Sequence, residues 1–391
     1  MTTTKQTNTY LANSEELRFH IVLNPGTECN FLAVPIDGKT ITASIINVMY
    51  GDPYMIDQNG TMGKTLSVNG RISFNTPEKY QEFDLSISNK SDLKQFATPT
   101  IKGWNFYTDN LHGCTNLELL HLCCRDMGNS SVLTEMTKLT ELMISTSEFT
   151  FNPTDLPTKD DNNSSVNELK RFYVTAGDYT DDMKFSIDGF SAISEYLTNL
   201  ELRGNYYHQL KGISGDLSVF ADNNALTGLF RIDYTSIEGD VASLGNTSIT
   251  NFQATDCYLY GDLTDLPGTC NRFLYSNNKA DTYFSWKAYG RSSKKVGNAA
   301  PALLKIDNPI RIVGSDICNM LEDLCVCTGG DSRAYTIITN DTDSLLAKYR
   351  VGSDIYDTLI AQGVSYLKIN DNVFIEKGVK IEASTNETET A

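Results

Sequence analysis

Residues Thr227-Gly-Leu-Phe-Arg-Ile-Asp-Tyr-Thr-Ser-Ile-Glu-Gly-Asp-Val-Ala-Ser-Leu244 and Ile249-Thr-Asn-Phe-Gln-Ala-Thr-Asp-Cys-Tyr-Leu-Tyr-Gly-Asp-Leu-Thr-Asp-Leu266 align without a gap at an offset of 22 positions. Gly239-Asp240 falls on Gly261-Asp262. The second copy reads Ile249-x-x-Phe252-x-Ala254-x-x-Cys257-x-Leu259-x-Gly261. Apolar residues two apart point to one face of a strand, so each copy predicts a short strand and a return segment. One such unit cannot cover its own apolar face. It requires neighbours stacked on both sides.

The pattern continues in both directions. Upstream stand Leu117-x-x-Leu120-x-Leu122, Leu139-x-x-Leu142-x-Ile144, Leu169-x-x-Phe172-x-Val174 and Leu197-x-x-Leu200-x-Leu202-x-x-Asn205. Downstream stand Cys270-x-x-Phe273-x-Tyr275-x-x-Asn278 and, near the C-terminus, Val364-x-x-Leu367-x-Ile369-x-x-Asn372. This is the leucine-rich-repeat pattern, with a period made irregular by inserted loops such as Thr150 to Ser165 and Tyr206 to Leu210.

Before the repeats, β-like runs at Leu17–Leu23, Phe31–Val34, Ile41–Val48, Leu66–Phe74 and Tyr80–Ile87 alternate with turn signals at Asn24-Pro25-Gly26, Asp37-Gly38 and Asn59-Gly60. They predict a small antiparallel β-sandwich. The stretches Ile46-Asn-Val-Met-Tyr-Gly51-Asp52 and Phe74-Asn-Thr-Pro-Glu-Lys-Tyr80-Gln-Glu-Phe-Asp-Leu-Ser-Ile87 resemble the PKD-type sandwich. Tyr50 stands where that module usually has Trp, Pro53 follows Asp52, and its His-x-Tyr is absent. The resemblance spans roughly residues 15–280 and implies the company such modules keep: irregular leucine-rich repeats in surface proteins of gut bacteria and in proteins of their phages. It implies no catalytic residues.

After residue 278, a polar basic insertion (279–300) leads into a strand at Ala302–Val313, a helix at Ser315–Cys325 and a strand at Ala334–Thr339. Helices at Asp343–Tyr349 and Asp354–Gln362 and a strand at Ser365–Ile369 follow. Asp316 and Asp354 are the expected N-caps and Gly363 the helix stop. The expected fold is β-rich α+β: an N-terminal antiparallel β-sandwich followed by an irregular leucine-rich-repeat solenoid with a mixed α/β C-terminal part. Expected boundaries are 1–14 flexible arm, 15–95 PKD-like β-sandwich, 96–280 solenoid, 281–380 C-terminal α/β repeats and cap, and 381–391 disordered tail.

The formal charge of −17 speaks against nucleic acid, whose binding rests on Lys and Arg contacts to phosphate. No run of eighteen apolar residues exists to span a membrane. Nine cysteines, an odd number without regular spacing, and an N-terminus without an apolar signal core predict free thiols in a reducing cytoplasm.

His112, His121, Cys123 and Cys124 are near in sequence but lack a ligand partner at metal spacing. Asp160-Asp161, Asp181-Asp182 and Asp371 match no calcium-loop pattern and read as solvated loops. The expectation is therefore no catalytic residue, no metal and no cofactor. Positions three, five and seven of each repeat face outward from the strand. They predict a concave binding face containing Arg171, Tyr173, Glu201, Arg203, Arg231, Asp233, Gln253 and Arg272. Arginine forks and tyrosine rings suit a glycan or a protein loop. A charge ladder, Glu201 with Arg171 or Arg231, is the alternative use of the same residues.

Free cysteines without an export signal conflict with a surface module unless the protein is released by lysis. The sequence thus points to a non-enzymatic phage virion structural protein, a tail fibre, tail appendage or head decoration. Its arm and sandwich would hold other virion proteins, and its repeats a bacterial surface glycan or protein. Without coiled-coil heptads, any multiplicity of copies would come from the particle. The alternative is a bacterial leucine-rich-repeat adhesin at the cell surface or a secreted effector. A carbohydrate-active enzyme would need paired carboxylates across a cleft, and no pair stands out.

Overall fold

The computed structural model describes residues 14–381 except 25, 28, 49–52, 76–80, 99–103, 124–127, 146–149, 159–167, 176–182, 271, 277–282, 287–309, 314–315, 326–332 and 340–353. All but one residue each of the expected N-terminal arm and C-terminal tail, the Gly51-Asp52 turn, most of the 279–300 insertion and the Asp343–Tyr349 helix lie outside these residues. The chain is β-rich with few helices. It divides into two compact units, Met1–Leu197 with Leu202–Ile213, and Thr198–Glu201 with Ser214–Ala391.

The first unit opens with β1 (Leu17–Leu23), β2 (Cys29–Pro35), β3 (Ile41–Val48), β4 (Tyr54–Asp57), β5 (Met62–Gly63), β6 (Thr65–Val68), β7 (Gly70–Asn75), β8 (Gln81–Ile87), β9 (Leu93–Ala97) and β10 (Trp104–Asn105). Alternate residues of β1 and β2 are buried, as period-two patterning demands. One antiparallel set runs β10-β1-β8-β3-β6 and the other β9-β2-β7-β4-β5. Their apolar faces meet where Phe74 packs on Phe83 at 5.2 Å and Phe19 stacks on Phe96 at 5.2 Å. The single strand expected at Leu66–Phe74 is interrupted at Asn69, immediately before Gly70. At Gly70 φ is +133° and a Cβ would strike the Gln58 side chain, which donates to the Asn69 carbonyl at 2.8 Å.

β9 joins this part to the repeats. It pairs antiparallel with β2 on one side and parallel with β11 (Leu119–Leu122) on the other. β12 (Glu141–Ile144) and β13 (Arg171–Thr175) continue the parallel ladder. Phe96, Leu120, Leu142 and Phe172 stand in register, and all are fully buried. Leu122, Ile144 and Val174 form a second buried row. The repeat motif is thus read out as stacked apolar rows. The return segments fold as 3-10 turns at Ser130–Glu135, Pro153–Asp155 and Ile187–Ala192. Each is capped by a side-chain oxygen, of Asn129, Asn152 and Ser186, accepting the N–H two residues on. The strands β14 (Phe185–Ser186), β15 (Asn199–Arg203) and β16 (Leu210–Asp216) follow, and the division between units falls within β15 and β16.

In the second unit each 22-residue copy yields two strands rather than one. β17 (Thr227–Asp233) turns at Tyr234, φ +56°, into β18 (Thr235–Asp240). β19 (Ser248–Thr255) turns at Asp256, φ +55°, into β20 (Tyr258–Asp262). β17, β19 and β21 (Arg272–Ser276) form one parallel ladder, while β18 and β20 pair in a second. The paired Gly-Asp has a double purpose. Asp216, Asp240 and Asp262 each cap the following 3-10 turn, and Gly215, Gly239 and Gly261 before them adopt φ of +117°, +129° and +110°. A Cβ on Gly261 would lie 2.0 Å from the Asp240 carboxylate of the preceding copy. Cys257 occupies the N/C position of the motif, and its thiol donates back to the Ile232 carbonyl at 2.7 Å.

Beyond lie the parallel strands β22 (Phe284–Ser285), β23 (Ile310–Ile312), β24 (Arg333–Thr339) and β25 (Val364–Ile369), with α1 (Ile317–Cys325) and α2 (Ile355–Ala361) between them. β26 (Asn372–Glu376) and β27 (Val379–Lys380) end the sheet antiparallel. β22 and the buried Trp286, whose indole N–H donates to Asp323 at 2.7 Å, fall inside the stretch read as a polar insertion. Phe284-Ser285-Trp286, between Asp281 and Lys287, is too short to leave a periodicity to detect. Gly363 does stop α2, at φ +89°. Asp354 makes no side-chain cap, and Asp316 accepts instead from the Trp286 backbone N–H at 2.8 Å.

On β1, the His20 ring lies 2.9 Å from Asp84 and 3.1 Å from Glu82. The Asp84 hydrogen bond, opposed by burial and helped by both charges, raises the His20 pKa. A raised pKa means stability that is complete below the ordinary value of 6.5 and lost as pH rises through the folded value. The melting-temperature gap between the native protein and H20Q is therefore expected to be wide at about pH 5.5 and to close in alkali. A gap that widened with pH would refute the pairing.

Candidate binding face

Parallel pairing places outward residues of successive strands side by side, and it brings His121, Glu141 and Arg171 together on β11, β12 and β13. The Glu141 carboxylate lies 2.6 Å from the His121 ring through one oxygen and 2.6 Å from the Arg171 guanidinium through the other. Its side chain is 10% exposed, whereas that of Arg171 is 52% exposed. Arg171 therefore presents its fork to solvent from a fixed anchor. Tyr173, half-buried, follows in register with Met143. Glu201 is buried and Arg203 exposed on β15.

In the second unit, Arg231 pairs with Asp233 two residues along the same strand. Asp233 is 4% exposed, and its other oxygen accepts the Thr255 N–H of the next copy at 2.9 Å. It is a corner post of the stack that also holds Arg231. The Gln253 side chain donates to Asn251 at 3.3 Å, and Arg272 stands beside Asn251 in the ladder. The partner of Arg171 that geometry supplies is Glu141. Glu141 is not among the candidate site residues that the sequence predicts. Its signal in the sequence is a strand position shared with Arg171, one repeat apart.

Of the histidines and cysteines close in sequence, His112 and His121 take different partners, and Cys124 lies outside the described residues. His112 pairs with Glu135 at 2.7 Å, and His121 with Glu141 at 2.6 Å. The Cys114 and Cys123 thiols are buried, which pushes their pKa values up to about 12 and about 11. Thiolates at neutral pH are not expected from either. A cavity of about 390 Å³ is bordered by Glu15, Lys90, His112 and Glu135. Its buried Lys90 donates to the Asn110 carbonyl at 3.2 Å, and burial lowers that amine's pKa. Among the described residues, no group of three or more His, Cys, Asp or Glu could hold a metal ion. Of the acidic loops, Asp371 is exposed near Lys368, and the two Asp-Asp pairs lie outside the described residues. No described helix is long and apolar enough to cross a membrane.

No family model matches the chain, and no curated protein matches it. Among solved structures, the crystal structure of an internalin from Listeria monocytogenes is similar, with a TM-score of 0.41 at 15% identity. That match covers 73% of this chain and 75% of the other. By its own ladders and capped returns, the chain is a β-rich protein of leucine-rich-repeat-like organisation.

Proposed function

We propose that this is a non-enzymatic binding protein that engages its target through the outward side chains of the parallel ladder. The observation that carries this reading is the preorganised Arg171, held at one end by a nearly buried carboxylate and open to solvent at the other. An arginine fixed in advance loses little side-chain entropy on binding, and it offers two parallel donors to a carboxylate, a phosphate or a ring hydroxyl. Tyr173 and Arg203 offer the same chemistry within the first unit, and Arg231 and Gln253 offer it separately within the second. Buried Asp233 serves as the support of Arg231.

The setting we propose is the outside of a phage particle, as a tail fibre, tail appendage or head decoration. The paired N-terminal sheets would act as a PKD-like sandwich joined to other virion proteins, and the ladder would face a bacterial surface glycan or protein. The seven described cysteines are all unbridged, six of them buried, which supports folding in a reducing cytoplasm before release. Replacing Arg171, Arg203 and Arg231 together with Ala should abolish attachment to the host while melting temperature stays within a few degrees of the native value. Mass spectrometry of purified virions should find the chain. Its absence from virions, together with its recovery from a bacterial envelope, would transfer the binding role to a cellular adhesin.

A further inference from the structure

Between β15 and β16 the chain makes a short turn that places Tyr206 and Tyr207 in water. They are 72% and 83% exposed, more than any other large apolar side chain among the described residues. The exposure belongs to a built turn. The Asn205 side-chain oxygen accepts from the Tyr207 and His208 N–H groups, both at 2.9 Å, and the Asn205 N–H donates to the His208 carbonyl at 2.9 Å. The two rings stand edge to face, 5.5 Å apart at 87°. Among the described residues, neither phenol hydroxyl has a hydrogen-bond partner. Leaving two tyrosines extended forgoes the burial that aromatic rings ordinarily gain by folding onto apolar surface.

We propose that this turn is a carbohydrate anchor taking a neutral hexopyranose, an inference that rests on the binding role argued above. A pyranose ring has an apolar C–H face that lies flat on a phenol, while its equatorial hydroxyls reach outward to polar partners. Tyrosine supplies both halves of that match, an apolar body and a polar tip. The neighbours in the turn are Arg203, Asn205, His208 and Gln209, so the rings sit in a polar surround. A protein-binding anchor would instead sit in an apolar, desolvated patch. An anionic glycan would have to approach a chain of net charge −17, and a neutral one meets no such repulsion.

The test is native electrophoresis of the full chain through gels containing dextran, galactomannan, a mixed-linkage β-glucan or, for comparison, anionic alginate. At least one neutral gel should retard the protein. The Y206A/Y207A variant should lose about tenfold or more of that apparent affinity, the scale of a lost aromatic hot spot. Y206F/Y207F, which keeps both rings, should stay within about threefold. Identical melting curves would establish that both variants fold, as expected for exposed turn positions. No retardation in any neutral gel, retardation in alginate alone, or an unaffected Y206A/Y207A would each overturn the proposal. Host attachment lost in the triple arginine variant but intact in Y206A/Y207A would leave the binding role standing and remove the tyrosine anchor.

Discussion

Replacing Phe172 with Ala is expected to destabilise the first unit by about 3–5 kcal/mol, the range for removing a fully buried phenylalanine. Phe172 is fully buried at the centre of an aromatic cluster. Phe151 stacks on it at 5.2 Å, and Phe190 and Phe185 meet it edge-on at 5.0 and 6.0 Å. The loss is large because three rigid rings cannot close around a methyl group, so a cavity remains. It would consume much of the roughly 5–15 kcal/mol that keeps a typical domain folded. Urea unfolding of F172A against R171A is the measurement. Arg171 is half exposed at its ion pair, and its removal should change stability by less than about 1 kcal/mol. Equal effects for the two neighbours would mean that Phe172 does not fill a shared core.

The second large effect is expected at Gly261. At φ +110° an alanine is strained, and its Cβ would stand 2.0 Å from the Asp240 carboxylate that caps the Ala242 N–H at 2.9 Å. Backbone strain of about 1–3 kcal/mol and loss of a cap of about 1 kcal/mol then add in one change. Gly228 provides the control. It has φ +69° with nothing within 4 Å of a Cβ, so its alanine variant bears only left-handed strain of about 1–2 kcal/mol. A double-mutant cycle with D240A separates the parts. If trimming Asp240 fails to relieve the G261A penalty, the steric account of the Gly-Asp repeat is wrong.

These two positions also mark how far the sequence reached. Leu120, Leu142 and Phe172 are legible, because a stack that hides one face must repeat an apolar residue at the same place in every copy; Phe96, which joins their row from before the first repeat, is not. The recurrence of Gly-Asp was visible as well, but its purpose was not. The carboxylate that meets Gly261 comes from the copy before, and a single copy shows only a turn. The Asn129, Asn152 and Ser186 caps leave no common signal in the sequence, because two residue types do one job at uneven spacing. Trp286 and β22 are hidden because their run is too short to show a periodicity. Among the candidate binding residues, the outward direction of Arg171 and Arg203 followed from strand alternation. The burial of Glu201 and Asp233 did not follow, since alternation predicts a face and says nothing of what packs upon it.

Sequence by itself determined the stacking of short parallel strands, since periodic apolar residues have one economical way to leave water. Only the tertiary structure decided which charges meet: Glu141 with His121 and Arg171, twenty and thirty residues away, and Asp233 with a backbone N–H of the following copy. Those pairings depend on register across irregular loops. A hydrogen bond tolerates only a few tenths of an ångström, whereas burial of an aliphatic row tolerates far more.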